Sequence, residues 1–332
     1  MDALGAGAVV LAALAFAWTN GFHDASNAVA TSLSTGALTP RVALVMSAVL
    51  NAAGALIGVG IAELVGTHLL DVPVADPGVT LVLCAVLAAI AWNLLTWWWG
   101  MPSSSSQALL GALAGAGTAA GIRVQWDLIG TRVVLPMLVS PVVGFAAAWL
   151  VMLVLLRVFR DAAHGPAIRG FRMAQGVSSA AVSVGHGLQD GQKAMGVVVL
   201  ALVASGHLAP GYAGVPLWVR LAVAVALGLG TLAGGWRIVR TLARRIVPMD
   251  PVTGFAAQSV TAVVLYLAAG LGSLPVSTTH TVTSAIVGAG STSGLRAVRW
   301  TTVRSVLAVW VLTAPVTFAA AAALFTVSSR LL

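Results

Sequence analysis

The chain has 332 residues, 59% hydrophobic and only 8% charged, with mean hydropathy +0.99. Soluble domains carry about 25% charged residues, so this composition excludes a water-soluble globular fold and leaves an integral membrane protein. The formal charge of +8 does not point to nucleic acid, because the basic residues sit in short loops between apolar runs, where orientation signals belong.

Inside a bilayer every backbone polar group needs an internal partner, which allows helices or closed barrels. Strand alternation is absent, so the expected fold is an all-α integral membrane protein. Cys84 is the sole cysteine and lies in an apolar run, which excludes a disulfide framework and a cysteine metal site. Residues 1–20 lack a basic n-region, with Asp2 as the only early charge, and are read as mature chain rather than signal peptide.

Taken in order, the first apolar run covers 4–38 and is interrupted by Asn20-Gly21-Phe22-His23-Asp24. Run 41–66 follows, then 79–99 and 104–120, joined only by Met101-Pro102-Ser103, then 129–157. The pattern then repeats. Run 173–206 is interrupted by Gly185-His186-Gly187-Leu188-Gln189-Asp190 and is followed by 217–239. Runs 252–272 and 276–291 are joined only by Ser273-Leu274-Pro275, and 301–327 closes the series. A continuous helix over 173–206 would be about 51 Å long against a hydrocarbon core of roughly 30 Å. Both interrupted runs are therefore expected to be broken, or steeply tilted, at their polar patches. The second member of each closely joined pair is short for a span, which predicts two re-entrant helical hairpins, tolerated only inside protein or beside water.

Each half then has three crossings and one hairpin: residues 1–157, a cytoplasmic linker at 158–172, and residues 173–332. On this plan Arg41, Arg157 to Arg172, Arg237 to Arg245 and Arg296 to Arg304 place twelve basic residues on one side, against four (Arg123, Arg132, Arg220, Arg330) on the other. That asymmetry fits a cytoplasmic face for the twelve and places both termini outside. An odd number of crossings inverts the halves, a common plan for secondary transporters.

The first repeated motif is Asp24-Ala25-Ser26-Asn27 against Asp190-Gly191-Gln192-Lys193. A carboxylate at membrane depth costs about 2.5 kcal/mol or more, which makes a cation or proton site the default reading and a mere helix cap the alternative. Asn20, Ser26, Asn27 and Gln192 supply neutral oxygens. Lys193 lies three residues after Asp190 on one helix face, placed to neutralise it or to stand where a coupling cation would otherwise sit. The second motif is Pro102-Ser103-Ser104-Ser105-Ser106-Gln107 against Pro275-Val276-Ser277-Thr278-Thr279-His280, each opening a segment that ends Gly-Ala-Gly. Pro followed by hydroxyls marks a helix N-terminus. Free N–H groups and the helix dipole there favour an anion; interhelix packing by Ser and Thr is the alternative.

His23, His186 and His280 adjoin these motifs, as proton relays, anion donors or neutral rings bonded to backbone. Trp92, Trp97, Trp98 and Trp99 are read as interfacial or packing residues, and Glu63, Asp71, Asp76, Asp127, Asp161 and Asp250 as solvated loop-edge charges. An enzyme would concentrate its acid–base pair in one place, so matched motifs in both halves argue for a transporter and against catalysis. A receptor would have no reason to bury two carboxylates.

At Asn20-Gly-Phe-His-Asp-Ala-Ser-Asn27, Gly185-His-Gly-Leu-Gln-Asp-Gly-Gln-Lys193 and the two Pro-Ser/Thr segments, the sequence resembles the inorganic phosphate transporter (PiT) family, bacterial permease type. The resemblance covers nearly the whole chain. It implies symport of inorganic phosphate with a cation through inverted repeats, with Asp24 and Asp190 required. It implies substrate contact by Ser103, Ser104, Ser105, Ser106, Gln107, Ser277, Thr278, Thr279 and His280. Sodium-coupled relatives carry glutamates that align with Asn51 and Gln258; neutral amides there favour protons over sodium as the coupling ion. The long hydrophilic central loop of animal relatives is missing. Sulfate permeases share the family, so sulfate is the alternative substrate. The expected partners are phosphate, alone or as a metal–phosphate complex, and the bilayer of the plasma (inner) membrane; a homodimer is the assembly considered. No cofactor beyond the coupling cation and no nucleic acid are expected.

Overall fold

The computed structural model describes residues 3–74 and 76–331; Asp2 lies outside the described residues, as does the side chain of Asp76. Its elements are helical: α1 (Ala3–Ser34), α2 (Pro40–Ala55), α3 (Gly60–His68), α4 (Asp76–Trp99), α5 (Ser105–Ala119) and α6 (Trp126–Val158). They are followed by α7 (164–204), α8 (Leu217–Ala233), α9 (Trp236–Arg244), α10 (Pro251–Gly270), α11 (Thr278–Ser291) and α12 (Trp300–Leu331). Local signals set the starts. Pro40 and Pro251 open α2 and α10, where their missing N–H groups cost nothing. Asp250 caps α10 by accepting from Thr253 N at 2.7 Å. No strand occurs among the described residues beyond one isolated bridge, Leu70 to Val124.

Among the described residues, five helices are long and apolar enough to cross a membrane, or seven if the bent pairs α2–α3 and α8–α9 each count as one span. By length, α4 and α10 qualify as spans, although the sequence reading takes them as hairpin arms. α5 and α11, at 15 and 14 residues, reach about 22 Å, short of the core thickness.

Breaks occur, but not at the polar patches. α1 runs unbroken for 32 residues through Asn20 to Asn27. Its polar side chains are buried against other helices, so the backbone has no reason to open. α7 is likewise continuous, with a wider, π-type winding over Gly187–Gly191. The chain bends instead by 66° between α2 and α3 and by 65° between α8 and α9. Arg220 donates to the Leu56 carbonyl at the first bend, which satisfies an acceptor the helix leaves open. The loop between α6 and α7 is residues 159–163; the remaining part of the expected linker forms the first turns of α7, with Arg169 and Arg172 exposed.

The packing pairs read the same from either half. α1 packs on α8 as α7 packs on α2, α4 on α5 as α10 on α11, and α12 on α5 as α6 on α11. Small residues allow the closest approaches. A Cβ at Gly115 would overlap the Phe318 carbonyl of α12, and one at Gly288 the Phe145 carbonyl of α6. These are the first glycines of the two Gly-Ala-Gly endings. We expect Gly115→Val or Gly288→Val to force the helices apart and lower stability by about 1–3 kcal/mol. Melting of the purified protein in detergent reads this, with Gly7→Ala, which meets open space, as the unaffected control.

α6 and α12 turn large apolar side chains outward, among them Leu138 at 62%, Val142 at 66% and Val311 at 72% exposure. Such a surface suits hydrocarbon rather than water. α11 and the second part of α7 are almost wholly buried and form the centre.

Candidate functional site

The two central helices α1 and α7 each carry one carboxylate past the N-termini of α5 and α11. Ser104 caps α5 by accepting from Gln107 N, and Ser277 caps α11 by accepting from His280 N, both at 3.2 Å. The serine run and the Ser-Thr-Thr run thus begin their helices at equivalent points, as the Pro-hydroxyl pattern predicts. One hydroxyl after each cap, Ser105 and Thr279, donates to the Asp24 carboxylate.

Asp24 is buried. Its Oδ1 accepts from His23 Nδ1 at 2.7 Å and from the Thr279 hydroxyl at 3.3 Å, and its Oδ2 accepts from the Ser105 hydroxyl at 2.9 Å. Ser105 also lies 3.1 Å from Asn20 Oδ1, and Asn27 donates to Thr279 at 2.9 Å. α1 therefore meets the tips of both α5 and α11 within two turns.

Asp190 is buried as well, and its surroundings differ. Lys193 Nζ stands 2.7 Å from Asp190 Oδ1, 2.7 Å from the Ser106 hydroxyl and 2.7 Å from the Val276 carbonyl. An ammonium has three donors and no acceptor, and all three are used at charge-assisted distances. His186 Nε2 lies 3.1 Å from Asp190 Oδ2 and 3.9 Å from Asp24 Oδ2, so this ring stands between the two carboxylates without a well-aligned hydrogen bond to either. Its Nδ1 meets Asn51 Oδ1 at 3.0 Å, and Asn51 donates to Thr231 at 2.9 Å. Asp24, His186 and Asp190 bring ligating atoms within 4.8 Å of one another, a set able to hold a cation.

Several candidates stand apart from the carboxylates. Gln192 donates to the Leu188 carbonyl at 2.7 Å and accepts from Ile61 N at 2.9 Å, so it braces the start of α3. Gln258 donates to the Ala28 carbonyl at 2.8 Å, one residue beyond Asn27, without touching Asp24. Ser103 bonds Thr96 at 2.9 Å, and Thr96 in turn lies 3.1 Å from His23 Nε2. Ser26 bonds only the His23 carbonyl, at 3.3 Å.

Two participants, Thr96 and Trp310, gave no signal in the sequence, and a third, Gln189, lay in the Gly185 to Asp190 patch without a role. Thr96 and Trp310 sit singly in apolar runs. Trp310 stacks on His280 at 3.9 Å between ring centres and donates to the Pro102 carbonyl at 3.0 Å, so it ties the two hairpin tips together. Gln189 is the counterpart of His23 by its place before the Asp. It accepts from Val276 N at 3.2 Å and donates to the Leu265 and Leu274 carbonyls at 3.3 Å, which fixes the α10–α11 connection.

Among the buried polar atoms without partners, four lie at or beside the tips (Asn27 Oδ1, Gln107 Oε1, Thr278 Oγ1 and His280 Nε2), while others, Asn93 and Gln175 Nε2 among them, lie elsewhere in the bundle. Each such atom costs about 1–3 kcal/mol if left unmet, so their grouping argues for a polar ligand. Gln107 and His280, equivalent positions in the two motifs, also line one cavity of about 640 Å³ between α6 and α12. Of the tryptophans, Trp92 is buried and donates to Thr313 at 3.1 Å, whereas Trp98 and Trp99 are exposed, with Arg237 over the Trp98 ring at 4.3 Å. Asp71, Asp127, Asp161 and Asp250 are exposed as expected, and Glu63 is half-buried.

Comparison with known proteins gives a consistent result. A sequence model described as "Phosphate transporter family" matches residues 20–321. The chain is 39% identical over 309 residues to a Bacillus subtilis protein described as "Probable low-affinity inorganic phosphate transporter", covering 93% of this chain and 92% of that protein. Proteins of the same description are 40% identical over 311 residues in Rhizobium meliloti, covering 92% of this chain and 91% of that one. In Mycobacterium tuberculosis the figure is 42% over 313 residues, covering 92% and 73%. Among solved structures, one titled "The sodium-dependent phosphate transporter" superposes with TM-score 0.86 at 23% identity, over 99% of this chain and 100% of that chain. At that identity the likeness concerns the fold.

Proposed function

Because this chain belongs to the phosphate transporter family, a multi-pass membrane family of transporters rather than enzymes, we propose that it is a plasma-membrane symporter carrying inorganic phosphate with protons. The observation that carries this reading is the convergence of two capped helix N-termini and their unpartnered polar atoms beside two buried carboxylates. Phosphate binds between the tips of α5 and α11, within reach of Ser105, Ser106, Gln107, Thr278, Thr279 and His280, with Ser104 and Ser277 shaping the caps. The coupling cation binds at Asp24, with Asn20 and Asn27 as neutral neighbours, and offsets the anion's desolvation.

Residues 1–157 and 173–332 act as two inverted repeats about the segment 158–172, with α4–α5 and α10–α11 as re-entrant hairpins and both termini outside. The matching pairs of packed helices support that division. Transport proceeds by alternating access, one hairpin-bearing bundle rocking against the rest.

The structural relative is described as sodium-dependent. Here Asn51 and Gln258 are neutral amides engaged by His186, Thr231 and Ala28, which favours protons. In proteoliposomes, labelled phosphate should accumulate under an inward proton gradient and be indifferent to sodium. Sodium-driven uptake would overturn the coupling, and sulfate competing on equal terms would overturn the substrate assignment. Added magnesium tells free phosphate from a neutral metal–phosphate complex, and cross-linking in the membrane tests for a homodimer.

A further inference from the structure

The two halves make the same contact with different side chains. Asn27 lies three residues after Asp24, and Lys193 three residues after Asp190. Asn27 Nδ2 reaches Thr279 at 2.9 Å, and Lys193 Nζ reaches Ser106 at 2.7 Å. Thr279 and Ser106 each lie four residues after the hairpin proline, Pro275 and Pro102. Each Asp helix thus sends its i+3 side chain to the equivalent hydroxyl of the other half's hairpin. Around Asp24 that side chain is a neutral amide, and among the described residues no Lys or Arg lies within ion-pair distance of the carboxylate. Around Asp190 the same place holds a full positive charge, ringed by a carboxylate, a hydroxyl and a backbone carbonyl, each at 2.7 Å. Three oxygens of this kind, a carboxylate among them, are the donors a small hard cation takes.

We propose that the Lys193 ammonium is a tethered stand-in for a mobile cation in the second half, so that only the Asp24 half exchanges a cation during transport. This rests on the coupled-transport reading above and specifies it. Charge at the Asp190 side is constant through the cycle, because the cation there cannot leave. The ammonium also joins Ser106 of α5 to Val276 before α11, across the two hairpin tips.

Lys193→Asn recreates at Asp190 the Asp-x-x-Asn set of Asp24 and Asn27 and opens the second position. The variant should lose phosphate uptake on the order of tenfold or more in choline medium, because a buried carboxylate is left unpaired. Sodium or lithium should restore it, with a steeper cation dependence than the wild type shows. Independently of transport, the melting temperature of purified Lys193→Asn in detergent should rise with sodium or lithium over choline by more than the wild type's does. Uptake with the wild-type cation dependence overturns the proposal. For a variant that does not transport, a melting temperature no more responsive to these cations than the wild type's overturns it equally. Absence of phosphate uptake by the wild type would count instead against the functional reading, and the melting comparison would still decide the tether.

Discussion

Asp24→Asn is expected to reduce phosphate uptake by about tenfold to a hundredfold while the purified protein keeps close to its wild-type melting temperature. The asparagine has nearly the carboxylate's shape. Its oxygen can still accept from His23 and Thr279, and the Ser105 hydroxyl, now 2.9 Å from Oδ2, can turn to accept from the new amide. What vanishes is the charge. A charged hydrogen-bonding partner in a buried site contributes about 1.5–3 kcal/mol, and about 1.4 kcal/mol corresponds to a factor of ten in rate. With no carboxylate to hold a cation, the phosphate's charge meets the interior uncompensated. Uptake of labelled phosphate into proteoliposomes, normalised to folded protein, measures the effect. A wild-type rate in this variant would remove Asp24 from the mechanism.

Asp190→Asn should behave differently, because its carboxylate already has a resident partner. The substitution leaves the Lys193 ammonium buried without a counter-charge, even if the asparagine oxygen still accepts from it beside the Ser106 hydroxyl and the Val276 carbonyl. Removing one member of a buried ion pair costs about 3–5 kcal/mol, whereas replacing both members by neutral groups is often far less harmful. Asp190→Asn should therefore lower the melting temperature or the yield of folded protein strongly, and Asp190→Asn combined with Lys193→Met should recover much of the loss. If the double variant is as unstable as the single one, the ion pair is not the source of the effect. Observing that contrast would bear out the two proposed roles, with Asp24 acting on a mobile charge and Asp190 on a fixed one.

Much of the architecture was legible in the chain itself. Low charge and repeated apolar runs require helices in a bilayer, since no other backbone arrangement satisfies its own polar groups with this pattern. The helix starts at Ser105 and Thr278 follow from Pro and hydroxyl residues acting on the next few N–H groups. Repetition then paired Asp24 with Asp190 and Ser106 with Thr279 without any structure. The break expected at Asn20 to Asp24 did not follow. That expectation, with a steep tilt as its alternative, rested on run length against the thickness of the bilayer; α1 stays whole over 32 residues, and Ser105, Thr279 and Thr96 come from elsewhere to meet its polar side chains. Nor could Gln192, four residues from Leu188 and beside Lys193, be told from the true neighbours of Asp190 by position alone.

By itself the sequence determined what acts locally: the membrane class, the helical segments, the caps and the doubled motifs. The tertiary structure decided what depends on distant partners. It placed the bends between α2 and α3 and between α8 and α9, set His186 between the two carboxylates, and chose Gln192 and Gln258 as braces. It also decided which carboxylate is closed. Lys193 lies at i+3 from Asp190 in any helix, but only the arrival of Ser106 from α5 and Val276 from the start of α11 completes its three hydrogen bonds. Those contacts cross 87 and 83 residues of sequence, and no local propensity encodes a meeting at that range.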